Sequence, residues 1–411
     1  MFGSRLFVGS YNNQVATLTF LEARECVVSS LSAAAKISDI ERIPTPSCSG
    51  RILAESILAD RDYPPLPRSV RDGFAVRASD VPGELYIIGE VRAGERFGNT
   101  LQPGQAVEIM TGAPMPDGSN AVVMVEDTKT SGEKVIIDRS AQPGDNVGPQ
   151  ASDARAGEEV LMAGQRLDYA AIGVLAMVGT AHVSVYRQPE VAIVATGDEI
   201  VDGPLTVQDH QIRNTNSWVL AAQVARAGGK PMVLPVAPDV YAATRELIEH
   251  GLRFDLLLLS GGVSAGKYDI VERVLADLGA EFYFDRVRIQ PGQPLVFGQV
   301  RGKYFFGLPG NPGSTLITFE VFARAAIELL GGQKEARLPL FQCRLTRQFN
   351  QKPGLTRFLP AFLSADGSQV TPAPSSGSGD LPALARAQAF LVTEPDRAEW
   401  AEGDYIRVLL K

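Results

Sequence analysis

Asp255-Leu-Leu-Leu-Leu-Ser-Gly-Gly-Val-Ser-Ala-Gly266 is the stretch that decides the fold of this 411-residue chain. Four leucines form an apolar run of strand length, and a turn of serine and glycine follows at once. A short apolar run bounded by turn residues is typical of a strand that is buried on both faces of a parallel sheet. Glycines let backbone amides approach a ligand closely, and the N-terminus of a following helix favours anions. The stretch predicts a parallel α/β unit that binds a small, phosphate-bearing ligand, although a plain strand–helix turn has the same pattern.

Strand and helix patterns alternate on both sides of this stretch. Buried-strand patterns are found at Val191–Ala195, Met232–Val236, Asp255–Leu259, Glu281–Ile289, Leu295–Phe297 and Tyr304–Phe306. Helical patterns are found at Trp218–Ala227, Tyr241–His250, Tyr268–Leu278 and, with Asn311 as N-cap and Pro312 at the first position, up to Leu330. Such alternation predicts a doubly wound parallel sheet, and the ligands of these sheets bind beyond the carboxyl ends of the strands.

The remaining segments predict smaller units. The capping-box spacing of Thr19 and Glu22 predicts an N-terminal helix to about Ala35, and a short helix is expected around Gly50–Leu58. Frequent turn signals between short apolar runs predict a small, mostly β domain over residues 60–146. Short strand patterns after residue 332 predict a C-terminal β-barrel-like domain. The expected fold class is therefore multidomain α/β plus β.

Composition argues against several classes of protein. The net charge is −8 and no block of Lys and Arg occurs, which disfavours nucleic acid or an anionic membrane as the main partner. No apolar run approaches the roughly 18 residues that suggest a membrane span. Cys26, Cys48 and Cys343 are scattered, so we expect no disulfide framework, no cysteine-pair metal site and a reducing cytoplasm as the compartment.

Gly262-Val-Ser-Ala-Gly266 also matches the G-x-S-x-G pattern of the nucleophile elbow in α/β-hydrolases. That fold needs a histidine after the serine in chain order. The histidines of this chain are His182, His210 and His250, which all precede Ser264 and are isolated from one another. The order of residues therefore disfavours a hydrolase, and the histidines favour solvated or core positions over metal ligation.

Two other turns are predicted at the same edge of the sheet. The adjacent carboxylates of Thr196-Gly-Asp-Glu199 suit Mg²⁺ or a hydrogen bond to a sugar or ring amine, or simply cap a turn. Leu308-Pro-Gly-Asn-Pro312 places a rigid turn at a helix N-terminus, and alone it has the pattern of an ordinary loop. Together with the serine–glycine turn, they predict one shared site.

Two turns of the β domain contain further candidates. Asp72 in Arg68-Ser-Val-Arg-Asp-Gly73 suits a metal ligand or a general base, although Asp-Gly often marks only a hairpin turn. Met110-Thr-Gly-Ala-Pro-Met-Pro116 has the composition of a loop. Spacing alone leaves these alternatives open.

Taken in order, these turns resemble the MoeA/gephyrin family of molybdenum-cofactor synthesis. The family's D-x-S-x-M-D-G-Y-A corresponds to residues 67–75, its I-M-T-G-A-P-x-P to residues 109–116 and its S-T-G-D-E to residues 195–199. Its S-G-G-V-S-x-G-x-x-D corresponds to residues 260–269 and its L-P-G-N-P to residues 308–312. Each motif is weak alone, but five in order from about residue 18 to the end make the resemblance specific.

The resemblance implies four domains and a dimer. It implies an extended helical and β linker domain from residues 18–45 and 147–186, an inserted β domain at 46–146, a molybdopterin-binding α/β domain at 187–332 and a C-terminal β domain at 333–411. It also implies an elongated homodimer, with the active cleft between the α/β domain of one subunit and the inserted β domain of the other.

The implied reaction takes adenylylated molybdopterin and molybdate, releases AMP with Mg²⁺ and leaves molybdenum on the dithiolene sulfurs. The catalytic residues that the resemblance implies are Asp72, Thr111, Asp153, Asp255 and Arg357. The implied metal ligands are Glu199 and Asp269. The expected substrate-binding residues belong to the three turns at the sheet edge: Thr196, Gly261, Gly262, Ser264, Gly266, Pro309, Gly310, Asn311 and Pro312.

The chain departs from the family pattern where positive charge is expected. The family's K-P-G-K-P is Gln290-Pro-Gly-Gln-Pro294 here, so neutral amides replace two lysines. Charge-assisted hydrogen bonds are worth about 1.5–3 kcal/mol each, so this loss predicts anion binding weaker by about two or more decades. Arg71, Lys267 and Arg288 are candidates to restore the charge. The expected function is transfer of molybdenum to molybdopterin, and the alternative is a non-catalytic family member that binds a pterin or nucleotide or serves as a scaffold for a partner protein.

Overall fold

The computed structural model describes residues 17–34, 39–203, 206–262 and 270–411. Within these ranges the chain builds three six-stranded sheets, in an α/β unit, an inserted β unit and a C-terminal unit. The expected multidomain α/β plus β fold is confirmed. No helix within these ranges has the length and the apolar character that crossing a lipid bilayer requires.

The α/β sheet is parallel through four strands and antiparallel at one edge. Its strands lie in the order Lys230–Val233, Glu190–Ala195, Leu256–Ser260, Lys303–Leu308, Val296–Val300 and Glu281–Phe284. The first four run parallel, so their carboxyl ends share one edge of the sheet. Val296–Val300 is antiparallel to Lys303–Leu308, because the tight turn at Arg301-Gly302 joins them directly and a two-residue connection cannot join parallel strands. Glu281–Phe284 pairs antiparallel with Val296–Val300.

Both faces of this sheet are covered, which explains its unbroken apolar runs. Ile193, Leu258 and Phe306 belong to one buried cluster, whereas Val194 and Leu257 belong to a second cluster. Side chains alternate between faces along a strand, so a strand that is covered on both sides must be apolar throughout. The covering helices are Asn216–Ala227, Tyr241–Gly251, Ile270–Asp277, Pro312–Thr318 and Arg324–Leu330, and a π-helical turn at Phe319–Ala323 joins the last two.

The N-terminal helix, Phe20–Ala34, packs against the α/β unit. Thr19 and Glu22 form the predicted capping box: Thr19 N donates to Glu22 Oε2 at 2.9 Å, and Glu22 N donates to Thr19 Oγ1 at 3.3 Å. Arg24 Nη1 donates to Val321 O, in the π-helical turn, at 2.5 Å. The first helix of the chain therefore contacts the π-helical turn that precedes the last helix of the α/β unit.

A ladder between Ile40–Pro44 and His182–Tyr186 joins the two chain segments of the linker. Glu159–Leu161 of the linker pairs with Ile57–Leu58, which lies in the range expected for the inserted domain, and the helix Tyr169–Met177 follows. The prediction of a short helix around Gly50–Leu58 is wrong, because Leu53 is fully buried and forms a bridge to Val185 of the ladder.

The inserted β unit is a mixed sheet with a buried cluster on each face. Its strands lie in the order Ala121–Met124, Gly73–Val76, Gln105–Ile109, Gly83–Val91, Lys134–Ile137 and Thr128–Ser131. Beside this sheet, Arg68–Ser69 pairs with Val147–Gly148. Asp72 therefore lies directly before a central strand of the unit.

The C-terminal unit is a closed barrel, as predicted. Its strands follow each other around the barrel as Thr356–Leu363, Gln369–Pro372, Phe341–Leu345, Tyr405–Leu410 and Ala389–Val392, and the last pairs with the first. A short ladder of Phe349–Asn350 with Glu399–Trp400 and the helix Leu381–Arg386 complete the unit.

The expected strand Glu281–Ile289 is divided between two units. Glu281–Phe284 remains in the α/β sheet, whereas Ile289–Gln290 pairs with Thr356-Arg357 of the barrel. Val287 and Ile289 are buried in a cluster that contains residues of both units. The division of the strand therefore fixes the barrel to the α/β unit.

Leu258→Ala should lower the free energy of unfolding of the α/β unit by about 2–5 kcal/mol, because it leaves a cavity in the fully buried central strand. Val233→Ala, on an edge strand where the side chain is 42% exposed, should change it by about 0.5 kcal/mol or less. Urea titrations followed by Trp218 fluorescence, with Trp400 replaced by Phe in all samples, measure both values. Equal effects of the two substitutions would contradict the assigned packing.

Candidate functional site

Three turns meet at the carboxyl edge of the parallel strands. Thr196 N donates to Ser260 O at 3.0 Å, and Gly261 N donates to Leu308 O at 3.2 Å. Gly310 lies at the same place, since a Cβ atom built on it would be 3.6 Å from Gly261 Cα. The structure thus brings together the three turns in which the substrate-binding residues are predicted.

Gly261 has no room for a side chain. Its φ of +91° lies in the left-handed region, and a Cβ atom would be 2.7 Å from Thr196 O. The next residue, Gly262, also has a positive φ, of +61°. The remaining predicted residues of this turn lie outside the described residues: Ser264, Gly266 and Asp269.

Thr196-Gly-Asp-Glu199 folds back over its own glycine. A Cβ atom on Gly197 would be 2.5 Å from Glu199 Oε2, so the exposed carboxylate of Glu199 lies beside the bare backbone. Asp198 is engaged elsewhere, because its Oδ1 accepts from Asp239 N at 3.0 Å. The described residues contain no group of three or more His, Cys, Asp or Glu that could hold a metal ion.

Asn216 connects two of the three turns, and it is absent from the sequence-based candidates. Its Nδ2 donates to Ser260 Oγ at 2.8 Å and to Gly310 O at 2.7 Å. Asn216 is 8% exposed and begins the helix that follows the first turn. Asparagine is common at helix starts, so its position in the sequence carries no signal that distinguishes this role.

The N-terminus of the helix Pro312–Thr318 lies at the same edge and contacts the barrel. Asn311 occupies the predicted N-cap position, but its side chain makes no capping hydrogen bond. Instead, Gly313 N donates to Ser378 O, in a loop of the barrel, at 2.8 Å. Thr315 Oγ1 donates to Pro309 O at 2.5 Å and fixes the preceding turn. A barrel loop therefore forms one wall of this edge.

Arg357 lies beside the first glutamine that stands in place of a family lysine. Its Nη1 donates to Gln290 Oε1, and its Nη2 donates to Lys352 O at 3.1 Å. The loop after Gln290 lies on the helix at the edge, since a Cβ atom on Gly292 would be 2.5 Å from Thr318 Cγ2. Arg357 and the two glutamines thus belong to the surroundings of the same helix.

Asp72 and Thr111 form a second cluster, in the inserted β unit. Asp72 Oδ1 accepts from Thr111 N at 2.6 Å and from Thr111 Oγ1 at 2.7 Å. These hydrogen bonds stabilise the carboxylate and lower the pKa of Asp72 below its ordinary value of 3.8, so the group is ionised at neutral pH. The Asp-Gly pair is not a hairpin turn, because Gly73 begins a central strand where a Cβ atom would collide with Val123 O.

Asp153 lies near this Asp72 cluster. Arg68 Nη2 is 3.4 Å from Asp153 Oδ2, and the adjacent Ser69 N donates to Ala113 O, two residues beyond the cluster, at 2.9 Å. The two charged side chains are 43% and 54% exposed, so the pair contributes less than about 1 kcal/mol to stability. Within the described ranges, the side chains of Asp72, Thr111 and Asp153 form hydrogen bonds only to residues of the inserted and linker units.

Asp255 lies at the opposite edge of the sheet from the three turns. It precedes a strand of five residues, which separates it from the serine–glycine turn by roughly 17 Å at about 3.3 Å per residue. Burial raises the pKa of Asp255, but hydrogen bonds from Arg187 and Glu190 N outweigh it, and the pKa falls below the ordinary value. The structure therefore assigns Asp255 to an ion pair with Arg187 and does not bring it to the turns.

Two relatives match the sequence along most of the chain. A molybdopterin molybdenumtransferase of Nostoc sp. is 38% identical over 314 residues, which cover 74% of this chain and 72% of that protein. The molybdopterin molybdenumtransferase of Bacillus subtilis is 33% identical over 377 residues, which cover 88% of this chain and 87% of that protein. The chain belongs to the MoeA family.

Family models and a solved structure agree with this assignment. The MoeA N-terminal region (domain I and II) matches residues 18–179, the "Probable molybdopterin binding domain" matches residues 192–329, and the MoeA C-terminal region (domain IV) matches residues 342–411. The crystal structure of the molybdopterin biosynthesis MoeA protein from Pyrococcus horikoshii OT3 has a TM-score of 0.82 at 27% identity and covers 96% of this chain and 100% of that chain. The resemblance seen in the sequence is confirmed, and with it a role of this MoeA-family protein in molybdenum cofactor biosynthesis.

Thr111→Val removes the hydroxyl donor to Asp72 but keeps the backbone donor, so the pKa of Asp72 should rise part of the way to 3.8. A folded-state pKa below the unfolded value means that Asp72 contributes stability above the unfolded pKa and loses it as the pH falls through the folded pKa. A carboxyl ¹³C NMR titration measures the shift, and Thr111→Ser should retain the original pKa. The hydroxyl has no such role if Thr111→Val leaves the titration of Asp72 unchanged.

Proposed function

We propose that this MoeA-family transferase inserts molybdenum from molybdate into adenylylated molybdopterin and releases AMP with Mg²⁺, in the cytoplasm. The observation that carries the proposal is the junction of three glycine-bearing turns at the carboxyl edge of parallel strands. Ligands of α/β sheets bind at this edge, and backbone amides and a helix N-terminus there favour phosphate groups. A substrate with a phosphate bridge between two ring systems matches these surroundings.

The oxygen donors at the edge fit Mg²⁺. Glu199 presents an exposed carboxylate beside the bare backbone of Gly197. Mg²⁺ binds oxygen and usually takes one or two carboxylates together with substrate phosphates and water. We propose that Glu199 and Asp269 hold the ion, which supplies Lewis-acid stabilisation of phosphate charge when bound.

Asp72 is suited to act as a charged group. The two hydrogen bonds from Thr111 keep its pKa low, so Asp72 has no proton to donate near neutral pH. We propose that the ionised carboxylate orients a reacting group, and that Thr111 fixes the direction of that carboxylate. Asp153, held near by Arg68, belongs to the same proposed half of the cleft.

Arg357 is the proposed anchor for molybdate. Two contacts, with Gln290 Oε1 and Lys352 O, hold its guanidinium in place, and a guanidinium has five N–H donors, so others remain for an anion. Gln290 and Gln293 supply no charge, so we expect weak binding of molybdate. The same two glutamines favour the second candidate function, a non-catalytic protein that binds a pterin or nucleotide or serves as a scaffold.

We also propose a homodimer in which two subunits share each cleft. The Asp72 cluster and the three turns lie in separate units, and the hydrogen bonds of the cluster do not extend to the α/β edge within the described ranges. A partner subunit would supply the cluster to that edge. A two-fold dimer repeats the same contact twice and so closes two equivalent clefts.

The pure protein, given adenylylated molybdopterin, Mg²⁺ and molybdate, should release AMP and yield active cofactor.

The double variant Gln290→Lys, Gln293→Lys should lower the KM for molybdate by roughly tenfold or more, because two ammonium groups would face the anion. Asp269→Asn should abolish the Mg²⁺-dependent release of AMP and keep the circular dichroism of the parent. Tight binding of adenylylated molybdopterin without AMP release, in the parent and in the lysine variant, would exclude the proposed transferase reaction. It would favour the second candidate function, a non-catalytic binding or scaffold protein.

Asp72→Asn and Glu199→Gln should each give an inactive homodimer, and mixing the two proteins under subunit exchange should restore activity. Half of the randomly mixed dimers are hybrids, and each hybrid has one intact cleft of two, so recovery should reach about one quarter of the parent activity. A mixture of each variant with itself is the matched control. Subunit exchange without any recovered activity would mean that Asp72 and Glu199 serve the same subunit's site.

A further inference from the structure

We propose that Asn216 and Thr196 together recognise an N–H group on a heterocyclic ring of the ligand, at the edge where the three turns meet. The proposal rests on the proposed function and deepens it, because it names the part of the ligand that this edge distinguishes. It adds Asn216 to the binding site and gives the side chain of Thr196 a specific task.

The amide of Asn216 is satisfied on one side only. Nδ2 uses both hydrogens, one on Ser260 Oγ and one on Gly310 O. The orientation of the amide is fixed, because Gly310 O is only an acceptor and must face the nitrogen. Oδ1 is buried and has no hydrogen-bond partner among the residues that the structure describes. Within those residues, an acceptor is therefore held rigidly at this edge without a donor.

Thr196 Oγ1 is a second buried oxygen at this edge that has no partner in the described ranges of the chain. Thr196 is 4% exposed, and a Cβ atom built on Gly261 would be 3.2 Å from its Oγ1. Asn216 donates to Ser260 and Gly310; Ser260 directly precedes Gly261, and a Cβ atom built on Gly310 would be 3.6 Å from Gly261 Cα. The two unpaired oxygens thus belong to one small region next to the turn that has no side chain.

Unpaired buried acceptors are uncommon in folded proteins, because the loss of water is not compensated. Several other unpaired atoms of the described residues, such as Glu320 Oε2 and Arg324 Nε, lie in a cluster of buried charges on the long helix, where oppositely charged groups surround them. In the part of the chain that the structure describes, the hydrogen bonds of Asn216 and Thr196 involve no charged group. A ligand that supplies a donor removes the cost at these two positions.

The chemistry of the two oxygens selects the ligand group. An amide oxygen only accepts, and a phosphate at neutral pH offers mainly acceptors, so Asn216 Oδ1 repels the phosphate bridge and attracts a donor. A threonine hydroxyl both donates and accepts, so the pair suits a ring edge with an N–H next to an acceptor. Pterin and adenine rings have such edges. The anionic part of the ligand is left to the backbone amides of the glycine turn and to Arg357.

Asn214 provides a matched control for Asn216. It is the same residue type, is 6% exposed and lies before the same helix. Its Nδ2 donates to Asp202 Oδ1 at 2.8 Å and to Ser217 Oγ at 2.9 Å, and neither partner belongs to the three turns. Substitution of either asparagine by alanine removes a buried amide near the helix start, and only one of them removes the proposed contact.

The test compares three probes by isothermal titration calorimetry: AMP, 6-carboxypterin and inorganic pyrophosphate. Asn216→Ala should weaken the binding of at least one of the two ring compounds by roughly tenfold or more, because a site built to bind a ring N–H loses its acceptor, and should change pyrophosphate binding by less than about twofold. Thr196→Val, which keeps the shape of the side chain, should weaken binding of the same ring compound. Asn214→Ala should leave the affinities for all three probes unchanged.

An equal loss for all three probes would overturn the proposal, since Asn216 would then only hold the turns in place. No loss for either ring compound in Asn216→Ala and Thr196→Val, or no binding of either ring compound by the parent, would overturn it as well. Ring binding that depends on Asn216, in a protein that releases no AMP with the full set of substrates, would leave the recognition standing and reject the proposed function alone.

Discussion

The close approach of three strand ends around Gly261 is the constraint on which the site depends. The carbonyl of Thr196 leaves no space for a side chain there, so a bare backbone faces the proposed ligand site. This arrangement is rigid because the strands below are buried on both faces and cannot shift independently in a densely packed interior. The leucines of the central strand therefore determine the geometry of the edge as much as the glycines that form it.

Much of the fold was predictable because neighbours in sequence decide it. The capping box of Thr19 and Glu22, the apolar runs of buried strands and the turn glycines all act within a few residues. Predictions were wrong or incomplete where distant segments decide the structure. Leu53 pairs with the linker ladder in place of forming a helix, and Ile289–Gln290 leaves the α/β sheet to pair with a barrel strand far along the chain.

The site was predictable in its parts but not in its assembly. Motifs pointed to the turns, yet nothing local indicates that Asn216 reaches Gly310, 94 residues away in the sequence. Asp255 illustrates the converse. It adjoins the stretch that decides the fold, but a strand has two ends, and Asp255 lies at the end away from the turns, where Arg187 binds it from 68 residues away. Local sequence motifs therefore identify the elements that carry a site. They identify less well which side chains reach that site.

The packing of the N-terminal helix has a consequence for synthesis of the protein on the ribosome. Arg24 and its partner Val321 are 297 residues apart, so the apolar face of the first helix leaves the ribosome long before its partner helix exists. At about 5–20 residues per second, this interval lasts roughly 15–60 seconds. During that time the helix has no native surface to cover it, while the inserted β unit, which is complete much earlier, is free to fold. We therefore expect the nascent chain to fold from an internal unit outward, with its first element among the last to reach its final position.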